Sequence, residues 1–174
     1  MSDLQNPITN IKSADDFVAH ALALEEETYK SYRDLAETLE AHHNSVAASR
    51  FLLTAKQIKH DSKELKDLFE ERALKAPPPW ECGWASHDGL HSRLHEAHYL
   101  MSEQEAIELI IGVQRSELNF YQQVIIQQKL DSLIPCAERI IEQGNKRIEE
   151  WNSQLTELEK TEKYLDLDPP NIPE

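Results

Sequence analysis

Apolar positions recur every three or four residues in four long stretches of this chain, and each stretch predicts an amphipathic helix. In the first, over about 13–41, Phe17, Ala21, Leu24, Thr28, Tyr32, Leu35 and Leu39 share one face. Ser13 followed by Asp15 and Asp16 marks its start, because a hydroxyl accepts from an orphan amide and acids suit the positive end of the helix dipole. A short turn at 42–45 leads to a second helix over about 45–74, with Phe51, Ala55, Ile58, Leu65, Leu68 and Phe69 as its stripe. The run Pro77-Pro78-Pro79 cannot continue a helix and favours an extended segment. The third helix opens on a capping box, Ser102 with Glu105, and runs to about Gln128 with Ile107, Ile110, Ile111, Leu118, Tyr121, Val124 and Ile125 inward. Pro135 then falls in the first turn of a fourth helix, where its missing N–H is harmless. That helix carries Ile140, Ile141, Ile148, Trp151, Leu155 and Leu158.

The pattern predicts an all-α, single-domain four-helix bundle of up-down-down-up order. One antiparallel helical hairpin spans 13–74 and a second spans 102–160. The crossover at 75–101 has room to traverse the bundle and to hold a short helix, and 161–174 is an exposed C-terminal tail. A length of 174 residues suits one domain with a real core.

Charge narrows the partners. With 18 Lys+Arg against 32 Asp+Glu the net charge is −14, and broad phosphate-backbone binding needs the opposite sign, so nucleic acid is not expected as a partner. At 40% apolar residues the chain is too hydrophobic to read as a disordered acidic segment. No apolar run approaches the ~20 residues that span a bilayer, so no membrane insertion is expected. The N-terminus lacks the basic and apolar regions of a signal peptide. Cys82 and Cys136 form no CxxC and suggest no disulfide framework, so the expected compartment is the cytoplasm.

The two hairpins resemble each other. Glu25 is followed seven residues on by Tyr32, and Gln114 seven residues on by Tyr121. Gln57-Ile-Lys-His60 has its counterpart in Gln143-Gly-Asn-Lys146, with Leu65 and Trp151 as large apolar residues five beyond each. A weak repeat of ~90 residues is what a duplicated helical hairpin leaves behind.

With these residues, and most of all the stretch from Ala21 to Ala36, the chain resembles the ferritin-like superfamily, closest to its rubrerythrin-type branch. The resemblance covers about residues 13–160. It implies a di-iron site in the bundle core, with one Glu from each of two helices and a Glu-x-x-His from each of the other two. Glu and His three apart share a helix face, carboxylates bridge hard iron ions and imidazole completes the coordination. Carried over residue by residue, Glu25 takes the first single-Glu position and His60 the first His. Gln57, Gln114 and Gln143 stand where the other three Glu should be, and Lys146 stands at the second His.

Gln keeps the size of Glu and loses its charge, so two ferrous ions would meet one carboxylate, and Lys146 would add a positive charge. This argues against a conventional di-iron centre. Gln57, Gln114 and Gln143 would instead form a buried amide network, with Glu25 paired to Lys146 and hydrogen-bonded to His60. A shift of register brings in nearby acids, Glu117 one turn from Gln114 and Glu142 beside Gln143, as alternative metal ligands; Glu26, Glu27, Glu64 and Glu150 also lie close, as acids of solvated helix faces do.

Three further features carry alternatives. His87, His91, His95 and His98 would share one face if the crossover is helical, and neighbouring histidines bind Zn²⁺, Ni²⁺ or Cu²⁺; otherwise they are solvated or capping residues. Trp80-Glu-Cys-Gly-Trp84 is either an aromatic patch for a partner, with Cys82 as a redox thiol, or a seal on one end of the bundle; Cys136 is expected in the core. Tyr32 and Tyr121, at matching places, would donate hydrogen bonds or electrons in a working oxidase-like site and are otherwise large core residues. No second Cys-rich module accompanies the bundle, which lowers the case for a peroxide reductase.

The expected function is therefore non-catalytic: an acidic homodimer that binds a protein partner or plays a structural role, with no cofactor. The alternatives are an iron-handling protein or oxidoreductase (Fe²⁺ oxidation or peroxide reduction) with an altered site at Glu25 and His60, and transition-metal binding by the crossover histidines.

Overall fold

The computed structural model describes residues 11–69, 74–78, 81–82, 92–128 and 131–165. Among these, four α-helices account for nearly all regular structure and there is no strand. They are α1 (Ala14–Ala41), α2 (Ser45–Leu68), α3 (Glu103–Gln128) and α4 (Ile134–Leu165), with short 3₁₀ turns at Ser92–Glu96 and Asp131–Leu133. None of the described helices is long and apolar enough to cross a membrane.

The expected helix starts are where the chain's own polar groups put them. Ser13 Oγ accepts from the Asp16 amide at 3.0 Å, capping α1. Ser102 and Glu105 form the reciprocal capping box of α3, the Ser102 amide donating to Glu105 Oε2 at 2.6 Å and the Glu105 amide to Ser102 Oγ at 3.1 Å. Pro135 lies in the first turn of α4. The α1–α2 turn closes with His43 in the left-handed region (φ 61°), and Asn44 then caps α2 by accepting from the Ala47 amide at 3.2 Å. Two boundaries differ from the apolar pattern. α2 ends at Leu68 rather than near 74, with Phe69 in a turn and 70–73 outside the described residues; α4 runs on to Leu165, beyond the expected end at 160.

Cross-helix bonds give the topology. Arg50–Gln154, Gln57–Glu150, Asp61–Arg147 and Glu64–Gln143 run in opposite order along α2 and α4, so these two are antiparallel. Asn44 Nδ2 donates to the carbonyls of Tyr99 (3.1 Å) and Met101 (2.8 Å), and Arg50 pairs with Glu103, so α2 and α3 start at the same end and run parallel. A chain leaving α2 at its far end must therefore return about 36 Å to begin α3, the length of a 24-residue helix. The up-down-down-up order follows, with a crossover linking the two hairpins. Its Ser92–Glu96 segment docks on α3 at Gly112, where an added Cβ would collide with the Arg93 guanidinium.

The interior is two apolar clusters. One gathers Tyr32, Leu39, Phe51, Ile58, Ile107, Ile110 and Trp151; the other gathers Ile11, Phe17, Leu24, Leu65, Leu118, Tyr121 and Ile140. Between them α3 and α4 approach closely at Gly144, where an added Cβ would meet Leu118 Cδ2 at 2.5 Å. The residues at this waist are polar.

Candidate functional site

The waist is built from residues that interrupt apolar stripes. On α1, Glu25, Thr28 and Tyr32 are all buried, and on α3 the same spacing recurs as Gln114, Glu117 and Tyr121, also buried. On α4 the stripe Ile140, Gly144, Arg147, Trp151 places a guanidinium in the interior, with Arg147 only 8% exposed. From α2 come Asp61 and Ser62, both half-buried.

Arg147 organises the charges. Its Nη1 donates to Asp61 Oδ2 at 2.8 Å and its Nη2 lies 3.8 Å from Glu25 Oε1. Ser62 Oγ donates to the other Glu25 oxygen, Oε2. Burial opposes the Arg147 charge, but Glu25, Asp61 and Glu117 more than offset it, so the group is held even more firmly protonated than usual. Burial pushes the Glu25 carboxyl up, and Arg147 and Ser62 hold it back. Burial pushes Glu117 further, to about 7, against the pull of Thr28 and Arg147.

Burial is what lets Glu117 hold a proton, and Thr28 meets either protonation state. Its Oγ lies 3.0 Å from the Leu24 carbonyl and also within hydrogen-bond distance of Glu117 Oε1. One hydroxyl has one hydrogen. When Thr28 donates to Glu117 it favours the carboxylate; when it donates to Leu24, a protonated Glu117 supplies the hydrogen of their contact. Thr28 and Glu117 occupy matching positions of the two hairpins, and they meet across the waist. Burial and the nearby acids also keep the Tyr32 and Tyr121 phenols well above their ordinary range, and neither hydroxyl has a hydrogen-bond partner among the described residues. The Gln114 amide is likewise without one.

Of the residues singled out in the sequence, the structure brings Glu25, Gln114 and Glu117 into the interior, with Tyr32 and Tyr121 beside them, and leaves His60, Lys146 and Glu142 at the surface and Gln57 and Gln143 at a helix seam. His60 has 71% of its side chain exposed and faces Asp61 and Glu64 on its own helix. Gln57 Nε2 donates to Glu150 and Gln143 Nε2 to Glu64, both at the α2–α4 seam rather than with Gln114. Lys146 is exposed and pairs with Glu142 at 3.2 Å. The expected amide network and the Glu25–Lys146 pair are therefore replaced. The cation that reaches Glu25 is Arg147, one residue along, because a step of one residue turns a helical side chain by about 100°.

Arg147, Asp61, Ser62 and Thr28 escaped the sequence reading, which followed the Glu-x-x-His spacing. The signal was present in α4, where Arg147 lies seven residues after Ile140 and four before Trp151, on the buried face.

In the crossover, His87 and His91 lie outside the described residues, as do Trp80 and Trp84. His95 sits in a 3₁₀ turn and His98 beyond it, both exposed, so these two do not share an α-helical face. Cys82 is half-buried and its Sγ donates to the Pro78 carbonyl at 3.5 Å. Burial, with Glu81 and Glu27 nearby, pushes the thiol up, the wrong direction for a redox thiolate. Cys136 is half-buried against the cluster around Phe17 and Ile140. Among the described residues no three His, Cys, Asp or Glu side chains group as a metal site would need.

Set against family models, curated proteins and solved structures, the chain matches none of them.

Proposed function

We propose that this chain is a ferritin-like bundle of rubrerythrin type in which a fixed internal cation, Arg147, stands in place of a metal centre, and that it acts as a non-catalytic binding or structural protein. The observation that carries this reading is the position of Arg147 between Asp61 and Glu25, deep in the waist. A di-iron centre draws on four carboxylates and two imidazoles from the bundle interior. The interior here supplies Glu25 and Glu117, with Asp61 at its edge, and no imidazole from His60. A guanidinium already neutralises these acids, and a second cation beside it would be repelled. The donor set does not fit iron.

Buried ion networks of this kind contribute little net stability compared with apolar packing, yet breaking one is expensive. Their best-attested role is to fix register, which suits a protein whose task is to present a surface. In this reading the chain works as a homodimer in the cytoplasm, with a protein partner met through its acidic exterior.

Two measurements test this. Untagged protein from iron-supplemented medium is expected to carry essentially no iron by elemental analysis; about two irons per chain, the template's complement, would overturn the proposal in favour of an oxidoreductase or iron-handling protein. Arg147→Glu replaces the internal cation by a further carboxylate in the waist and is expected to bind Co²⁺, read from its visible spectrum. If a folded Arg147→Glu protein shows no Co²⁺ bands, the waist is not a converted metal position and the ferritin-like assignment falls.

A further inference from the structure

Although the chain carries −14 overall, one face of α2 is basic. Lys59, Lys63 and Lys66 stand at i, i+4 and i+7, all exposed, and Lys56 continues the row one turn earlier. The first three line a cleft of about 240 Å³ between α1 and α2, with Tyr29 on its α1 side and Ser62 and Glu25 at its inner end.

The acids here are already engaged. Glu26 pairs with Lys30 at 3.4 Å, and Glu25 takes Ser62 and Arg147. Lys59 lies 5.4 Å from the centre of the Tyr29 ring, while Lys63 and Lys66 have no carboxylate within ion-pair distance among the described residues. Tyr29 Oη accepts from Arg33 Nη1 at 3.5 Å, which leaves its own hydrogen to donate. Arg33 and Lys59 both sit against the Tyr29 ring, 5.9 and 5.4 Å from its centre.

The cleft is thus polarised. Its outer part offers ammonium donors and a phenol donor. At its inner end Ser62 has given its hydrogen to Glu25, so Ser62 Oγ presents an acceptor. A matching ligand is compact, anionic at one end and hydroxylated at the other. We propose that this cleft binds a phosphorylated polyol of the sugar-phosphate class, with the phosphate on Lys59, Lys63 and Lys66 and a ligand hydroxyl donating to Ser62 Oγ.

The same chemistry occurs in a free sugar phosphate and in an inositol-phosphate lipid headgroup. The test is titration of the full chain with glucose 6-phosphate, methyl phosphate and inorganic phosphate, followed by amide chemical shifts. A parallel arm uses phosphatidylcholine vesicles with and without phosphatidylinositol 4-phosphate. Glucose 6-phosphate is expected to shift α2 amides and to bind about tenfold more tightly than methyl phosphate, the worth of one good polar contact. The double variant Lys63→Gln/Lys66→Gln, checked for helicity, is expected to weaken it by about tenfold or more, while Lys146→Gln leaves it unchanged. Ser62→Ala is expected to erase the preference over methyl phosphate and keep phosphate affinity.

Binding to the vesicles alone assigns the lipid source, with the same lysine dependence required. The proposal is overturned if neither source binds, if the double variant binds as well as the parent, or if the three free phosphates bind alike. A change in oligomeric state in the double variant without any ligand binding would also overturn it, and would assign the row to an acidic face of a second copy.

Discussion

The two hairpins carry the same frame and different charges. α1 and α3 present Glu25-Thr28-Tyr32 and Gln114-Glu117-Tyr121 at identical spacing, all six buried. In the first hairpin the acid comes at the first position and a hydroxyl one turn later; in the second a neutral amide comes first and the acid follows. The second helices diverge more. α2 offers Asp61 and Ser62 at the edge of the waist, while α4 sends Arg147 into it. The hairpins are therefore complementary rather than equivalent. Each supplies acid, and among the described residues α4 alone supplies a buried guanidinium or ammonium, so the waist holds together across the pair and not within either half.

Removing that cation should disturb the molecule most. Arg147→Met keeps the volume and strands Glu25, Asp61 and Glu117 together. Loss of one partner from a buried network costs about 3–5 kcal/mol. Urea denaturation at pH 7 should show a midpoint far below the parent's, with partial recovery at pH 5, where Glu25 and Glu117 take up protons. A loss below about 1 kcal/mol, the range of a surface pair, would mean that the waist is not charge-coupled.

The apolar periodicity made the four helices and their order legible, because burial on one face requires it. Ser13 and the Ser102–Glu105 box were legible because orphan amides select those side chains. The site was legible only in part. Glu25, Gln114 and Glu117 were reachable because they sit inside strong stripes. His60, Gln57, Gln143 and Lys146 were assigned by the spacing of a metal template, and that spacing is tied to a different rotation of α2 and α4. Asking which polar residues interrupt a stripe would have found Arg147; no local signal in α2 sets Asp61 and Ser62 apart from its exposed acids.

Glu117 sharpens the comparison through pH. Its folded value of about 7 exceeds the ordinary 4.5, so the folded state holds the proton more tightly than the unfolded chain. The associated stability is present below pH 4.5 and is lost as pH rises through 7, by on the order of 3 kcal/mol. Glu25 is raised as well and acts in the same direction. Glu117→Gln removes one titration and leaves the other, so thermal unfolding between pH 5 and 8 should give a flatter profile and a more stable protein at pH 8. An unchanged slope would place the titration elsewhere.

The two helical glycines of α3 and α4 test how tightly the second hairpin is closed. At Gly144 a methyl meets Leu118, a core side chain 7% exposed, and overpacking of about 1–3 kcal/mol outweighs a helix-propensity gain of up to about 1. At Gly112 the methyl meets the half-exposed Arg93, whose guanidinium can swing aside. Gly144→Ala should therefore lower the melting temperature, while Gly112→Ala should leave it level or raise it slightly; equal effects would show that the α3–α4 approach is not limiting.

The smallest expected effect is the most pointed, because it concerns the neighbour of the most important residue. Lys146 and Arg147 are adjacent cations on α4. Lys146 faces solvent, 67% exposed, and pairs with Glu142 four residues earlier. An exposed i,i+4 pair is worth about 0.3–0.5 kcal/mol, and salt screens it. Lys146→Ala also gains a little helix propensity, so the net change should stay within about 0.5 kcal/mol. Denaturation of Lys146→Ala beside Arg147→Met then isolates burial from charge, since both variants remove one positive charge at nearly the same point of the chain. A large loss for Lys146→Ala and a small one for Arg147→Met would return the interior position to Lys146 and rotate α4 by one residue.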